Sequence, residues 1–220
     1  MKITTNFVAQ STFNMKREKD YASDIAEIRA MMERSSKYLS LSGWAGILAG
    51  IYALVTAYIL HVLLKFAPTG AIYHFNESTS HDLSQVILLA LALLFLSIAT
   101  AIVLSWKRSI KRNEKNWNPT SRRLVIGMAL PLLSGGALCV IFTYLQLIGL
   151  LPSLTLIFYG LSLFSAGNFT YREVRTLGIL QILLGLCAAI LIPFSLLFWA
   201  AGFGLLHIIY GLYIHLKHER

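Results

Sequence analysis

The sequence predicts an all-α polytopic membrane protein. Six transmembrane helices are expected as three helical hairpins, the last two an internal repeat, after an N-terminal amphipathic cytoplasmic helix. Three observations predict this. Hydrophobic residues make up 56% of the 220-residue chain and charged residues 13%, whereas a soluble domain is about a quarter charged; mean hydropathy is +0.66. No charge occurs from Leu124 to Tyr171 or from Thr176 to Leu216, and each stretch is about twice what one helix needs to cross a bilayer. When the chain is slid along itself so that Gly127 meets Gly178, Ala137 meets Ala188 and Tyr159-Gly160-Leu161 meets Tyr210-Gly211-Leu212. A repeat of this length means a supersecondary unit used twice, here a pair of spanning helices.

Residues 1–19 read as a disordered extension, with no apolar core for a cleavable signal peptide. Met15-Lys16-Arg17 would make a normal start, so residues 1–14 are expected to be dispensable. Over 20–41, Tyr21, Ile25, Ile28, Met32 and Leu39 recur at helical spacing while Asp24, Glu27, Arg34 and Lys37 lie elsewhere around the axis. This helix is expected to pack under the bundle, to lie on lipid, or to pair with a second copy of itself.

The transmembrane domain is expected over 42–216, with spans at about 42–64, 83–106, 124–148, 151–167, 176–199 and 202–216 and a short tail at 217–220. In the first span Gly43, Gly46 and Gly50 form a stripe of small residues, continued by Ala53 and Ala57. Such a stripe favours close helix approach in lipid. An intramolecular partner is the commoner case, and a homodimer contact would look the same. Gly149 to Pro152 marks the turn in the first uncharged stretch. In the second, Pro193 competes with Ala200-Ala201-Gly202; the repeat favours a turn at Ala200 to Phe203, with Trp199 at the interface and Pro193 as a kink.

Every lysine and arginine tests the orientation. With both termini inside, seven precede the first span, seven lie between the second and third, two between the fourth and fifth, and two at the end; Lys65 alone falls outside. This follows the positive-inside rule. The net charge of +9 therefore implies a cytoplasmic face suited to anionic headgroups; it does not imply nucleic-acid binding.

Chemical motifs are sparse. No Asp, Glu, Lys or Arg lies inside an expected span, which counts against an ion-coupled carrier. His207 shares a helical face with Ala200, Gly204, Gly211 and His215; a buried histidine bonded to a neighbouring helix is its plainest reading. With the turn near Gly202, it would sit in the outer half of the membrane, on the side of His61 and of the loop residues His74, Glu77, His81 and Asp82. Imidazoles and carboxylates gathered there would suit a transition metal, and His61 with His207 would suit a haem. The loop spacing fits no diagnostic metal pattern, so no metal or cofactor is expected. Cys139 and Cys187 read as packing residues. The chain shows no nucleophile elbow, phosphate loop or zinc-protease helix, so it is read as non-enzymatic.

At Ile28-Arg29-Ala30-Met31-Met32-Glu33-Arg34-Ser35, Tyr38 to Gly43, Ala49 to Ala53, Phe169 to Gly178 and Gly204 to Gly211, the sequence resembles a group of bacterial six-span membrane proteins of similar length with no function attached. The resemblance implies a multi-pass protein of the bacterial inner membrane and carries no activity, but its members begin near the position of Met15. The leading expectation is a sensor or regulatory subunit. It would offer its basic loop, its N-terminal helix and Arg172-Glu173-Val174-Arg175 to a protein partner or to lipid. In the plainer reading, Arg172, Glu173 and Arg175 are a solvated turn with a local ion pair. The alternatives are a channel or carrier with Tyr144, Gln146, Gln181 and His207 along its route, and the haem or metal protein above.

Overall fold

The computed structural model describes residues 25, 28, 42–66, 68–72, 80–111 and 119–219. The chain divides into two units, Met1–Lys37 and Tyr38–Arg220. Of the first unit, Ile25 and Ile28 are described, both helical and exposed; the rest of the expected 20–41 helix lies outside the described residues. Among its described residues the second unit is a bundle of six helices, each long and apolar enough to cross a membrane. They are α1 (Gly43–Leu63) and α6 (Ile192–Lys217), with α2 (Ser80–Lys111), α3 (Pro119–Tyr144), α4 (Leu151–Ala166) and α5 (Arg172–Ile190) between them. No strand occurs among the described residues.

The bundle is apolar outside and polar within. Phe95, Leu130 and Leu133 are all more than 70% exposed, while Ser153, Ser162, Gln181 and Ser195 are buried almost completely. In water this would be a liability, but in hydrocarbon it is what the solvent demands, because polar groups can be satisfied only inside the protein.

Glycines set the helix spacing. Facing α4 and α5, a methyl added at Gly178 would lie 2.7 Å from the Gly160 carbonyl oxygen, and one at Gly160 would lie 2.7 Å from that of Gly178. The same applies between α1 and α6, where a methyl on Gly46 would come 3.2 Å from Gly211 Cα and one on Gly50 would come 2.6 Å from the Gly204 oxygen. The Gly43, Gly46 and Gly50 stripe therefore faces Gly204, His207 and Gly211 of this same chain, antiparallel, and is not left open to a second copy. Helix α3 packs on α4, with Gly135 against Phe158, and α2 packs chiefly on α1. The most extensive packing joins α4 to α5, across the boundary expected between the second and third hairpins.

The turn expected at Ala200 to Phe203 is instead at Leu191 to Phe194. Leu191 leaves the helical region at φ −104° and ψ 60°, and a turn of 3₁₀ helix through Pro193 follows. Proline lacks the donor an α-helix needs and clashes with the carbonyl four residues back, so the chain breaks there. Ala200 to Leu206 stays helical, widened into π-helix. As a result α5 is shorter at its end, and α6 longer at its start, than the sequence suggests. Arg172, Glu173 and Arg175 are not a turn either. They form the first turn of α5, and Gly167 to Thr170 connects α4 to it.

Two apolar clusters tie the helix ends. Leu60, Phe66 and Ile148 gather Val86, Leu89, Leu151 and Leu196 at one end. Leu163, Ala166, Tyr171, Val174, Leu177 and Ile214 gather Leu124, Met128, Tyr159, Leu206 and Tyr210 at the other. Replacing Gly178 with Val is expected to lower the unfolding midpoint in mixed micelles by the equivalent of about 1–3 kcal/mol, because the added carbons meet backbone. Gly136→Ala, at an open helical position, should be neutral or stabilising by up to about 1 kcal/mol.

Candidate functional site

The candidate site is a polar node where α4, α5 and α6 meet. Tyr159 lies midway along α4 and Gln181 midway along α5. His207 lies ten residues before the Lys217 end of α6, about 15 Å at 1.5 Å per residue. That puts the node near mid-membrane, not in the outer half as the expected turn implied. His207 and Gln181 are buried, at 5% and 0% exposure.

The node is stitched by hydrogen bonds. The His207 Nδ1 atom lies 3.0 Å from the Gly202 carbonyl oxygen. A carbonyl can only accept, so the proton belongs on Nδ1. Nε2 is then the acceptor, and the Tyr159 hydroxyl, 2.9 Å away, donates to it. The Gln181 Nε2 amide donates to the same Gly202 oxygen at 2.9 Å. Its 3.3 Å approach to Nδ1 is then a contact between two donors. Three helices converge on one carbonyl and one imidazole, with a wide helical turn of α6 supplying the carbonyl.

Local sequence explains why these groups can meet. A methyl at Gly202 would lie 2.5 Å from Gln181 Oε1 and 2.5 Å from Leu156 Cδ2, so any side chain there would have to displace the amide and the leucine from their present places. Phe203 lies on the other side of the imidazole, stacked with the His207 ring at 5.8 Å and 16° and 5.0 Å from the Tyr159 ring. Trp199 continues the aromatic row at 5.1 Å from Phe203. At rest the aromatic wall sets the ring plane, and the hydrogen bonds set its rotation within that plane.

The structure brings together only some of the residues singled out in the sequence. Gln181 and His207 meet. Tyr144 and Gln146 are exposed at the end of α3 and share no route with them. His61 is exposed on α1. Gly46 faces the His207 carbonyl, and His61 lies fifteen residues further along α1, about 22 Å, so these two histidines cannot bracket a haem. His74 and Glu77 lie outside the described residues, and the side chains of His81 and Asp82 are likewise not described. Among the described residues no group of three or more His, Cys, Asp or Glu could hold a metal.

At the end of the bundle, Glu173 makes a contact between helices. Lys217 donates to Glu173 Oε1 at 2.7 Å and to the Tyr213 hydroxyl at 2.9 Å. Arg175 lies over the Phe164 ring, 4.4 Å from its centre, and Arg172 is exposed. Gly204 and Gly211 both face α1.

Tyr159, Gly202 and Phe203 belong to the node but were not read as site residues. Tyr159 carried a signal all the same: it opens the Tyr-Gly-Leu triplet, whose glycine makes the α4–α5 crossing while its tyrosine turns to α6. Comparison with family models, curated proteins and solved structures gave no match. Function must therefore be argued from the chain's own geometry.

Tyr159→Phe leaves His207 Nε2 buried without its donor and is expected to destabilise the bundle by about 1–3 kcal/mol. Gln181→Leu should stay within about 1 kcal/mol of the parent, because Gly202 keeps His207 and an unpaired Oε1 is removed with the amide. Chemical unfolding in mixed micelles would rank the two variants, and the reverse order would contradict this geometry.

Proposed function

We propose that the protein is a non-enzymatic, multi-pass component of a bacterial inner membrane, a sensor or regulatory subunit acting through a basic cytoplasmic face. Both termini are cytoplasmic in this reading, and the six spans form three hairpins, the last two related by repetition.

The observation that carries it is the placing of charge. Lys107, Arg122, Arg123, Arg172 and Lys217 occupy the end of α2, the start of α3, the start of α5 and the end of α6. In an alternating six-span topology these all fall on one side, while the long middle of each helix is apolar. Lys107, Arg122, Arg123 and Arg172 are exposed and so available to anionic headgroups or to an acidic cytoplasmic protein. The Glu173 to Lys217 contact holds the start of α5 against the end of α6 and gives that face a fixed shape. Backbone-close crossings between α1 and α6, and between α4 and α5, favour a rigid scaffold over a wide solute channel.

Topology is testable with single cysteines placed in a chain whose Cys139 and Cys187 are alanine. Lys65→Cys is expected to react with an impermeant maleimide from the outside only, and Lys217→Cys from the inside only. Gentle extraction should bring down an acidic protein partner in fixed ratio, or a defined shell of anionic lipid. Reversing Arg122, Arg123 and Arg172 to Glu should release it without changing monodispersity. A chain that emerges alone and behaves the same after charge reversal would sink the proposal. Glu173→Gln should change stability little, since the pair is partly exposed; loss of the partner with stability unchanged would assign docking to this contact.

A further inference from the structure

Among the described residues, four buried side-chain atoms have no hydrogen-bond partner: Ser153 Oγ, Gln181 Oε1, Ser195 Oγ and Tyr210 OH. All four belong to α4, α5 and α6, the helices that build the node. Unsatisfied polar atoms in hydrocarbon cost several kcal/mol each, so their concentration in one three-helix interface needs a physical account.

Their depths supply one. Along α6 the polar positions run Ser195, then Gly202 with Gln181 against it, then His207 with Tyr159, then Tyr210, then Lys217 with Glu173. From Ser195 to Lys217 this is about 33 Å at 1.5 Å per residue, close to the thickness of the hydrocarbon core. Ser153 joins at the Ser195 end, one turn before Leu156, which packs on Gly202. Tyr210 lies with Tyr159 against the same apolar cluster. The partnerless atoms thus flank the imidazole on both sides.

We propose that α4, α5 and α6 enclose a narrow, water-bridged path for protons, with His207 as its titratable relay. Gln181 Oε1 only accepts, whereas the three hydroxyls donate and accept; water satisfies both kinds and carries protons between them. Leu156, fully buried against Gly202, and the glycine crossings leave no width for a larger solute. In one transfer, Tyr159 passes its hydroxyl proton to His207 Nε2 and regains one from water on the Tyr210 side. The imidazolium then turns about its Cβ–Cγ bond, releases that Nε2 proton to water on the Gln181 side, and turns back as the neutral Nδ1 tautomer. One proton crosses the node, and no bond is made or broken except to hydrogen. This activity goes beyond the proposed role of the basic face and does not depend on it.

The test uses the full-length chain in liposomes containing a pH-sensitive dye, with a potassium diffusion potential imposed by valinomycin. Proton entry at least about tenfold faster than in protein-free vesicles is expected, with most of it lost in His207→Gln, which keeps a hydrogen-bonding side chain but cannot titrate. Ser195→Ala and Tyr210→Phe remove hydroxyls that hold no partner, so folding should survive, and each should slow entry. These two decide the matter if His207→Gln does not fold. Entry no faster than in empty vesicles, parent-like rates in the variants that fold, or equal permeation by glycerol would overturn the proposal.

Discussion

The close approach of α4 and α5 at Gly160 and Gly178 is the constraint on which the rest depends. Lipid supplies no hydrophobic drive between helices, so association rests on packing and on interhelical hydrogen bonds. Both require backbones near enough for short side chains to span the gap. With any larger residue at this crossing, Tyr159 and Gln181 would be carried away from α6, and His207 would be left in hydrocarbon without partners. The glycines of α1 and α6 act in the same way on the far side of α6. They hold that helix from behind while the node holds it from the front.

Two kinds of order are superposed in the bundle. One is steric and tolerant: apolar side chains face outward, where lipid accepts almost any of them. The other is polar and exacting. A single carbonyl, at Gly202, receives both a histidine and a glutamine, and its usefulness arises from a widened turn in α6 together with a residue that has no side chain. Helix α2, packed chiefly against α1, adds a polar contact near its end, where Arg108 donates to the Tyr171 hydroxyl, whereas α4 to α6 combine both kinds along their length.

Much of this architecture could be read from the sequence, and the failures have physical causes. Long apolar stretches separated by bunched charge announce spanning helices, because hydrocarbon tolerates no other pattern at that length. The small-residue stripe of the first span announced a close contact, though not its partner. At the turn between α5 and α6 the repeat and the proline point to different places, and local backbone sterics at Pro193 prevail. The node was half visible: His207 and Gln181 stand out as polar residues in apolar helices. Their meeting through Gly202 did not, since it depends on helix rotation, which a widened turn alters and residue spacing does not encode. Tyr144 and Gln146 look alike in sequence for the same reason, being polar, yet lie at the exposed end of α3.

The widened turn at Ala200 to Leu206 also makes the length of α6 part of its meaning. A π turn holds one residue more than the α turn it replaces, and each residue advances an α-helix by about 100°. Loss of one residue there would restore regular winding and leave Gly211 and Lys217 close to their present faces, because a π turn and an α turn each complete one revolution. What would go is the widened turn that carries the Gly202 carbonyl to both His207 and Gln181. The one extra residue is thus what frees the carbonyl, and Gly202 and Gly204 within the same segment must also stay small.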